Sequence, residues 1–203
     1  MFRYYMFNKP RGCITARSDP RHKTVMDYFP EEERNVLFPV GRLDKDTEGF
    51  LLITDDGNLC YDLMKPEKKV AKTYFFWALG ELGEEKIREL EQGVEIYRNK
   101  GIVTAPAKLT VIKRAALKDI SDLLGFEDLK LSVRRGELPV ISGNITITEG
   151  KKHQVKRMLK YAGCKVVYLK RLSIGNLELD SEIKSGCYRL ISKTEIEKLK
   201  MNI

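Results

Sequence analysis

The sequence contains no apolar run near the roughly 20 residues that a membrane span requires. Its longest runs, at 50–53 and 75–79, end within a few positions. The opening stretch, Met-Phe-Arg-Tyr-Tyr-Met-Phe-Asn-Lys-Pro10, places a charge and a proline where a secretory leader would need an unbroken apolar core, so the expectation is a cytoplasmic chain without one. Cys13, Cys60, Cys164 and Cys187 lie far apart with no Cys-x-x-Cys pair, and there are two histidines. That supply excludes the usual zinc spacings and, without an export signal, argues for reduced thiols over a disulfide framework. There is no internal repeat and no low-complexity linker. With 42% hydrophobic and 33% charged residues over 203 positions, disorder and collagen are excluded, and one domain or two small ones remain.

Acidic residues are missing from one segment in particular. Between positions 151 and 171 the chain has Lys151, Lys152, Lys156, Arg157, Lys160, Lys165, Lys170 and Arg171 and no carboxylate. Removing those eight from the 37 Lys and Arg leaves 29, which balances the 29 Asp and Glu, so this segment carries the whole net charge of +8. A charge run is ordinarily a solvated helix face, but such faces mix both signs. A single-sign stretch in an otherwise neutral chain points to a phosphate-bearing partner.

Hydrophobic spacing supplies the elements. Val155, Met158, Leu159 and Ala162 repeat at helical intervals, which predicts a helix over 151–162 stopped by Gly163. Alternation predicts a strand over 144–149, and an apolar run predicts another over 166–169, giving a strand, helix, strand unit. Upstream, strands are expected at 36–40, 50–54 and 72–79, with a helix at 58–64 closed by Pro66 and another at 84–92 closed by Gly93. Residues 102–112 read as extended with Pro106 at an edge or bulge, and 117–124 as a helix within the poorly periodic stretch 113–140, which resembles an insertion. Ser192-x-x-Glu195 reads as a capping box before the last helix. The mixture is α+β, with helices over a largely antiparallel sheet.

Between two of the apolar strands lies Gly41-Arg-Leu-Asp-Lys-Asp-Thr-Glu-Gly49, a polar loop held at a sheet edge by rigid neighbours, where binding and catalytic groups often sit. In an extended segment Arg42 and Asp44 point the same way. By composition alone the loop is equally a turn whose Asp44 or Asp46 bonds its own backbone. Tyr74, in an aromatic strand, is by itself more readily core than catalyst.

In combination, five segments carry a family resemblance: Arg3-Tyr-Tyr-Met-Phe-Asn-Lys-Pro10 with Gly12, the loop 41–49 with Phe50-Leu-Leu-Ile-Thr-Asp-Asp-Gly57, Lys72-Thr-Tyr74, Glu149-Gly-Lys-Lys-His-Gln-Val-Lys-Arg-Met158 with Leu169-Lys-Arg171, and Tyr188-Arg-Leu190 with Glu195. In this order they resemble the RsuA family of ribosomal RNA pseudouridine synthases. The resemblance implies the pseudouridine synthase fold, a mixed, largely antiparallel sheet with flanking helices, in two subdomains of about 1–60 and 61–203 with the active site between them. Phe50 replaces the family's usual Leu, an apolar exchange. Family members commonly carry a small RNA-binding domain ahead of the opening strand, and the expectation is a form lacking it or trimmed of it.

The resemblance also implies roles. Asp44 is the nucleophile, Tyr74 stacks on the target base and serves in proton transfer, and Lys156 is the aspartate's basic partner. Arg42 holds the flipped nucleotide or fills its place, while Lys9, Arg11, Lys151, Lys152, His153, Arg157, Lys170 and Arg171 contact phosphates. For His153 an exposed polar residue without a role is an equal reading. The reaction breaks a carbon–nitrogen glycosidic bond, turns the uracil in place and rejoins it through carbon 5, so no cofactor and no metal is expected. An ionised carboxylate in a water-excluding pocket is required. Burial would raise its pKa from about 3.9, and a cation at ~4 Å opposes that by on the order of 4 kcal/mol at an effective dielectric near 20, before desolvation. Attack on the sugar, attack on the base and prior elimination all use that same carboxylate.

The expected partner is ribosomal RNA or a subunit assembly intermediate, with the small subunit slightly favoured by Thr104-x-Pro106-Ala107 and His153-Gln-Val-Lys-Arg157, and with the enzyme a monomer that binds no membrane. The competing reading is a non-catalytic RNA-binding or ribosome-assembly protein on the same fold, motivated by the basic segment. A metal-dependent nuclease using Asp44, Asp46, Asp55 and Asp56 is the weakest, since aspartates cluster in turns without metals.

Overall fold

A computed structural model of the chain describes residues 2–97, 100–119 and 137–201. The backbone divides into two compact units, one formed by 1–73 with 170–203 and the other by 74–169. The C-terminal segment 170–203 thus belongs with the first unit.

The first unit contains β1 (Tyr4–Lys9), β2 (Phe38–Pro39) and β3 (Glu48–Thr54), the C-terminal part of β9 (Lys165–Ile174), β10 (Leu177–Glu178) and β11 (Tyr188–Leu190). Its order is β11-β1-β3-β9. β1 runs antiparallel to β3 from Tyr4↔Thr54 to Lys9↔Gly49, whereas β3 and β9 are parallel at Glu48↔Lys170 and Gly49↔Arg171. Every residue of β3 from Gly49 to Thr54 is buried, so a strand covered on both faces explains why this run shows no alternation. One face packs Met6, Phe50 and Leu52 with Leu59 and Leu63 of α2 (Gly57–Met64) and with Ile196 and Leu199 of the last helix. Across the other, Phe7 lies edge-on to Phe29, which stacks on Tyr188 at 4.2 Å. The expected strand over 36–40 shrinks to two residues, because Val36 is exposed beyond the short helix α1 (Glu31–Arg34) and Pro39 has no N–H to extend the pairing.

In the second unit β4 (Lys72–Leu79, from Tyr74 on) pairs beside β8 (Pro139–Ile147), which pairs with β7 (Lys108–Ala116). A bulge between Val111 and Lys113 turns Ile112 out to solvent. Helix α3 (Glu84–Gln92) ends at Gly93 as expected. The extended stretch at 102–112 resolves into β6 (Ile102–Val103), paired with β5 (Glu95–Tyr97), and β7, with Pro106 in the break. Trp77, Leu117 and Val140 form a core cluster. The helix expected at 117–124 falls mostly outside the described residues, and its start is a 3-10 turn at Leu117–Asp119.

The basic helix α4 spans Gln154–Tyr161, with Val155, Met158 and Leu159 buried. It starts three residues later than the periodicity suggests, because His153 adopts a left-handed φ of 55° and Gln154 folds its side chain back onto the Lys151 N–H. The capping box is realised at the start of α5 (Lys193–Lys200). No helix among the described residues is long and apolar enough to cross a membrane.

Candidate active site

The loop between Gly41 and Gly49 is pinned from below by the end of β1. The Lys9 ammonium is fully buried and donates to the carbonyl oxygens of Pro10 (3.0 Å), Asp44 (3.1 Å) and Thr47 (2.8 Å). Three N–H donors meet three acceptors, which satisfies the group and fixes the main chain on both sides of the Asp44–Thr47 turn, itself closed by Thr47 N–H to Asp44 O at 3.0 Å. On the far side the Thr15 hydroxyl donates to Leu43 O at 2.8 Å and accepts from Leu43 N–H at 3.1 Å, while Gly12 N–H donates to Lys45 O. Leu43 is buried, Arg42 exposed and Asp44 half-buried, so the alternation expected from the sequence is realised: Leu43 anchors and its neighbours face outward. Gly49 closes the loop at φ +99°, where a Cβ would lie 2.3 Å from Arg171 O. Only glycine permits that approach.

Lys9 was expected to meet phosphate. Instead all three of its protons are given to carbonyls inside the protein, and burial lowers its pKa. Arg171 is corrected in the same way. It is 2% exposed, its Nε donates to Phe50 O at 2.7 Å, and its Nη2 is buried without an acceptor among the described residues. A side chain enclosed beneath β3 offers no surface for a strand of RNA.

Lys72, the first residue of the Lys72-Thr-Tyr74 segment, also belongs to this buried set. Lys72 is 9% exposed and donates to Val70 O at 3.0 Å. Burial, with the Arg171 charge adding to it, pushes its pKa down to about 8. A lysine inside an aromatic strand was the available signal, since such a residue is rarely interior unless something requires it. Thr47 is likewise buried with an unpartnered hydroxyl among the described residues.

In the second unit Tyr74 lies on β4, 8% exposed. Lys156, half-buried, and the exposed His153 lie on or beside α4. Lys151 pairs with Glu149, whose other oxygen accepts from Ala105 N–H at 2.9 Å and Gln154 Nε2 at 2.7 Å. Lys152 is exposed, and so is Arg11 in the first unit, where Lys170 is half-buried. Arg157 lies 4.1 Å above the Tyr97 ring. Two of the aspartates in the nuclease reading are structurally committed. Asp55 binds Arg3 at 3.0 Å, and Asp56 caps α2 through the N–H groups of Asn58 and Leu59.

The model of the family described as RNA pseudouridylate synthase matches residues 3–161. An uncharacterized RNA pseudouridine synthase YtzG of Bacillus subtilis is 42% identical over 98% of this chain and 73% of its own length. The ribosomal small subunit pseudouridine synthase A of Yersinia pestis is 33% identical over 96% and 71%. A crystal structure of a pseudouridylate synthase, 33% identical, superposes with a TM-score of 0.79 over 98% of this chain and 74% of the other.

Proposed function

The chain belongs to the RNA pseudouridylate synthase family and is an isomerase of that class, and from this premise we propose that it converts a chosen uridine of ribosomal RNA to pseudouridine, acting on the small subunit. The observation that carries the reading is the Asp44 loop. Its carboxylate is presented half-buried by a main chain that Lys9, Thr15 and Gly12 hold in place, which is the preorganisation a nucleophile needs. The relative from Yersinia pestis supports the choice of subunit by its name.

In this reading Asp44 is the nucleophile that releases the uracil from its sugar, Tyr74 stacks on the base and handles its proton, and Lys156 is the aspartate's basic partner. Atoms balance within the nucleotide: the bond from the sugar to nitrogen 1 breaks, the bond to carbon 5 forms, and the carbon 5 proton leaves as nitrogen 1 gains one. The reaction therefore runs without cofactor or metal. Flipping the base out of its stack costs a few kcal/mol, offset by roughly 1 to 3 kcal/mol of aromatic stacking. Arg42, exposed beside Asp44, holds the flipped nucleotide, and Arg11, Lys151, Lys152, His153, Arg157 and Lys170 contact phosphates. The protein works as a cytoplasmic monomer on rRNA or an assembling subunit.

Mapping carbodiimide-blocked reverse-transcription stops in rRNA from cells with and without the protein tests the substrate. A stop in small-subunit rRNA that disappears with the gene is expected. Loss of a stop in large-subunit rRNA alone would refute the subunit, and an unchanged pattern in both would refute the substrate class.

A further inference from the structure

The outward side of α4 is a complete stripe. His153, just before the helix, and Lys156, Arg157, Lys160 and Tyr161 on it fall at i, i+3, i+4, i+7 and i+8, opposite the buried Val155, Met158 and Leu159. The stripe is ~12 Å long at 1.5 Å per residue. It walls a cavity of about 850 Å³, closed on the other side by Glu95 and Ile96 of β5. A volume of that order accommodates a nucleotide-sized ligand.

Glu95 is the carboxylate among the cavity's described lining residues, and one of its oxygens already accepts from the N–H groups of Lys100 and Gly101, at 3.0 and 2.9 Å, closing the β5–β6 turn. Arg157 is fixed over the Tyr97 ring with one Nη donating to Ile96 O at 3.4 Å, and its buried Nε has no acceptor among the described residues. Arg157 is only half-buried, so a guanidinium held in one orientation by a ring and a carbonyl is preset to receive an anionic oxygen on the part that solvent reaches. Beside it Tyr161 is 45% exposed, and its ring is held because the hydroxyl donates to Glu89 at 2.8 Å. The Lys86 ammonium lies over one face of the ring at 5.1 Å from its centroid, so a nucleobase would stack on the opposite face.

We propose that this cavity takes one nucleotide of the RNA strand that flanks the target uridine, with its phosphate on Arg157 and Lys160 and its base against the Tyr161 ring. The identity of the polymer rests on the pseudouridine synthase reading. An acidic peptide would use the cations but has no need of the ring, which is why RNA is favoured.

The test uses the full-length protein and a fluorescein-labelled single-stranded oligouridylate, with affinity read by anisotropy across a salt series. Lys160→Gln weakens binding and lowers the slope of log affinity against log salt by about one. Tyr161→Ala weakens binding about fivefold or more without changing the slope, since stacking releases no counterions, and Tyr161→Phe keeps most of the affinity. Circular dichroism matched to the wild type excludes a folding defect. Wild-type affinity in Tyr161→Ala, an unchanged slope in Lys160→Gln, or equal competition by polyglutamate would overturn the proposal. These effects in the variants, together with a wild-type protein that isomerises no rRNA, would refute the activity and leave the cavity assignment standing. Turnover by the wild type with affinity and salt slope unchanged in the variants would do the reverse.

Discussion

At the scale of single residues, the site is organised by cations that are inside the protein. Lys9 and Arg171 were legible as basic residues but not as buried ones, because a charge count does not distinguish inside from outside. Their neighbours do: Lys9 ends the apolar run of β1, and Arg171 lies in β9 beside β3. Lys72 is the most informative of the three, since its pKa near 8 is below the 10.5 of the unfolded chain. Below pH 8 both states are protonated and the full burial cost is present. Between about 8 and 10.5 the unfolded chain holds a proton that the folded chain has released, so stability rises with pH. The shift corresponds to on the order of 3 kcal/mol. Denaturant melts should therefore show wild-type stability climbing across that window, and Lys72→Met more stable than wild type at pH 7 with the climb removed. A variant less stable at pH 7 would mean that Lys72 is a structural asset. Expense at a buried cation is the pattern of a residue kept for function.

At the scale of elements, helices with a clear apolar period were readable and their ends were less so. The stripe of α4 follows from Val155, Met158 and Leu159, but its start does not, because nothing local announces that His153 will take a left-handed backbone. The bulge at Ile112 and the shortened β2 are tertiary outcomes of the same kind. The Ser192-x-x-Glu195 cap was legible because its bonds are local. Ser192 Oγ accepts from Glu195 N–H, and the Glu195 carboxylate accepts from Ser192 N–H at 2.8 Å. Arg189 at 2.8 Å, reinforced by these cap bonds, holds that carboxyl down at about 2. A depressed carboxylate contributes stability above its unfolded pKa near 4.5 and loses it as pH falls toward 2. Ser192→Ala should cost about 1 kcal/mol at neutral pH. Glu195→Gln should flatten the acid limb of the stability profile between pH 4.5 and 2. An unchanged acid limb in Glu195→Gln would show that the pair is too solvated to matter.

For the whole molecule, the net charge of +8 is concentrated in 151–171, as the sequence indicated, but the segment is not one surface. Arg171 is interior, Lys151 is paired with Glu149, and Arg157 and Lys160 face a cavity with Tyr161. The fold class was readable because five ordered motifs span nearly the whole chain, and the family match over 3–161 agrees with them. The division into units was less readable, since the return of 170–203 to the first unit depends on parallel pairing of β9 with β3, a contact remote in sequence. The central claim is that Asp44 makes this chain a uridine isomerase. It is tested by tritium release from rRNA labelled at uracil carbon 5, presented as naked RNA and as small-subunit particles. Wild-type protein is expected to release label, while Asp44→Asn, with unchanged thermal stability, releases none. Release by Asp44→Asn at the wild-type rate, or none by the wild type from either substrate, would contradict it.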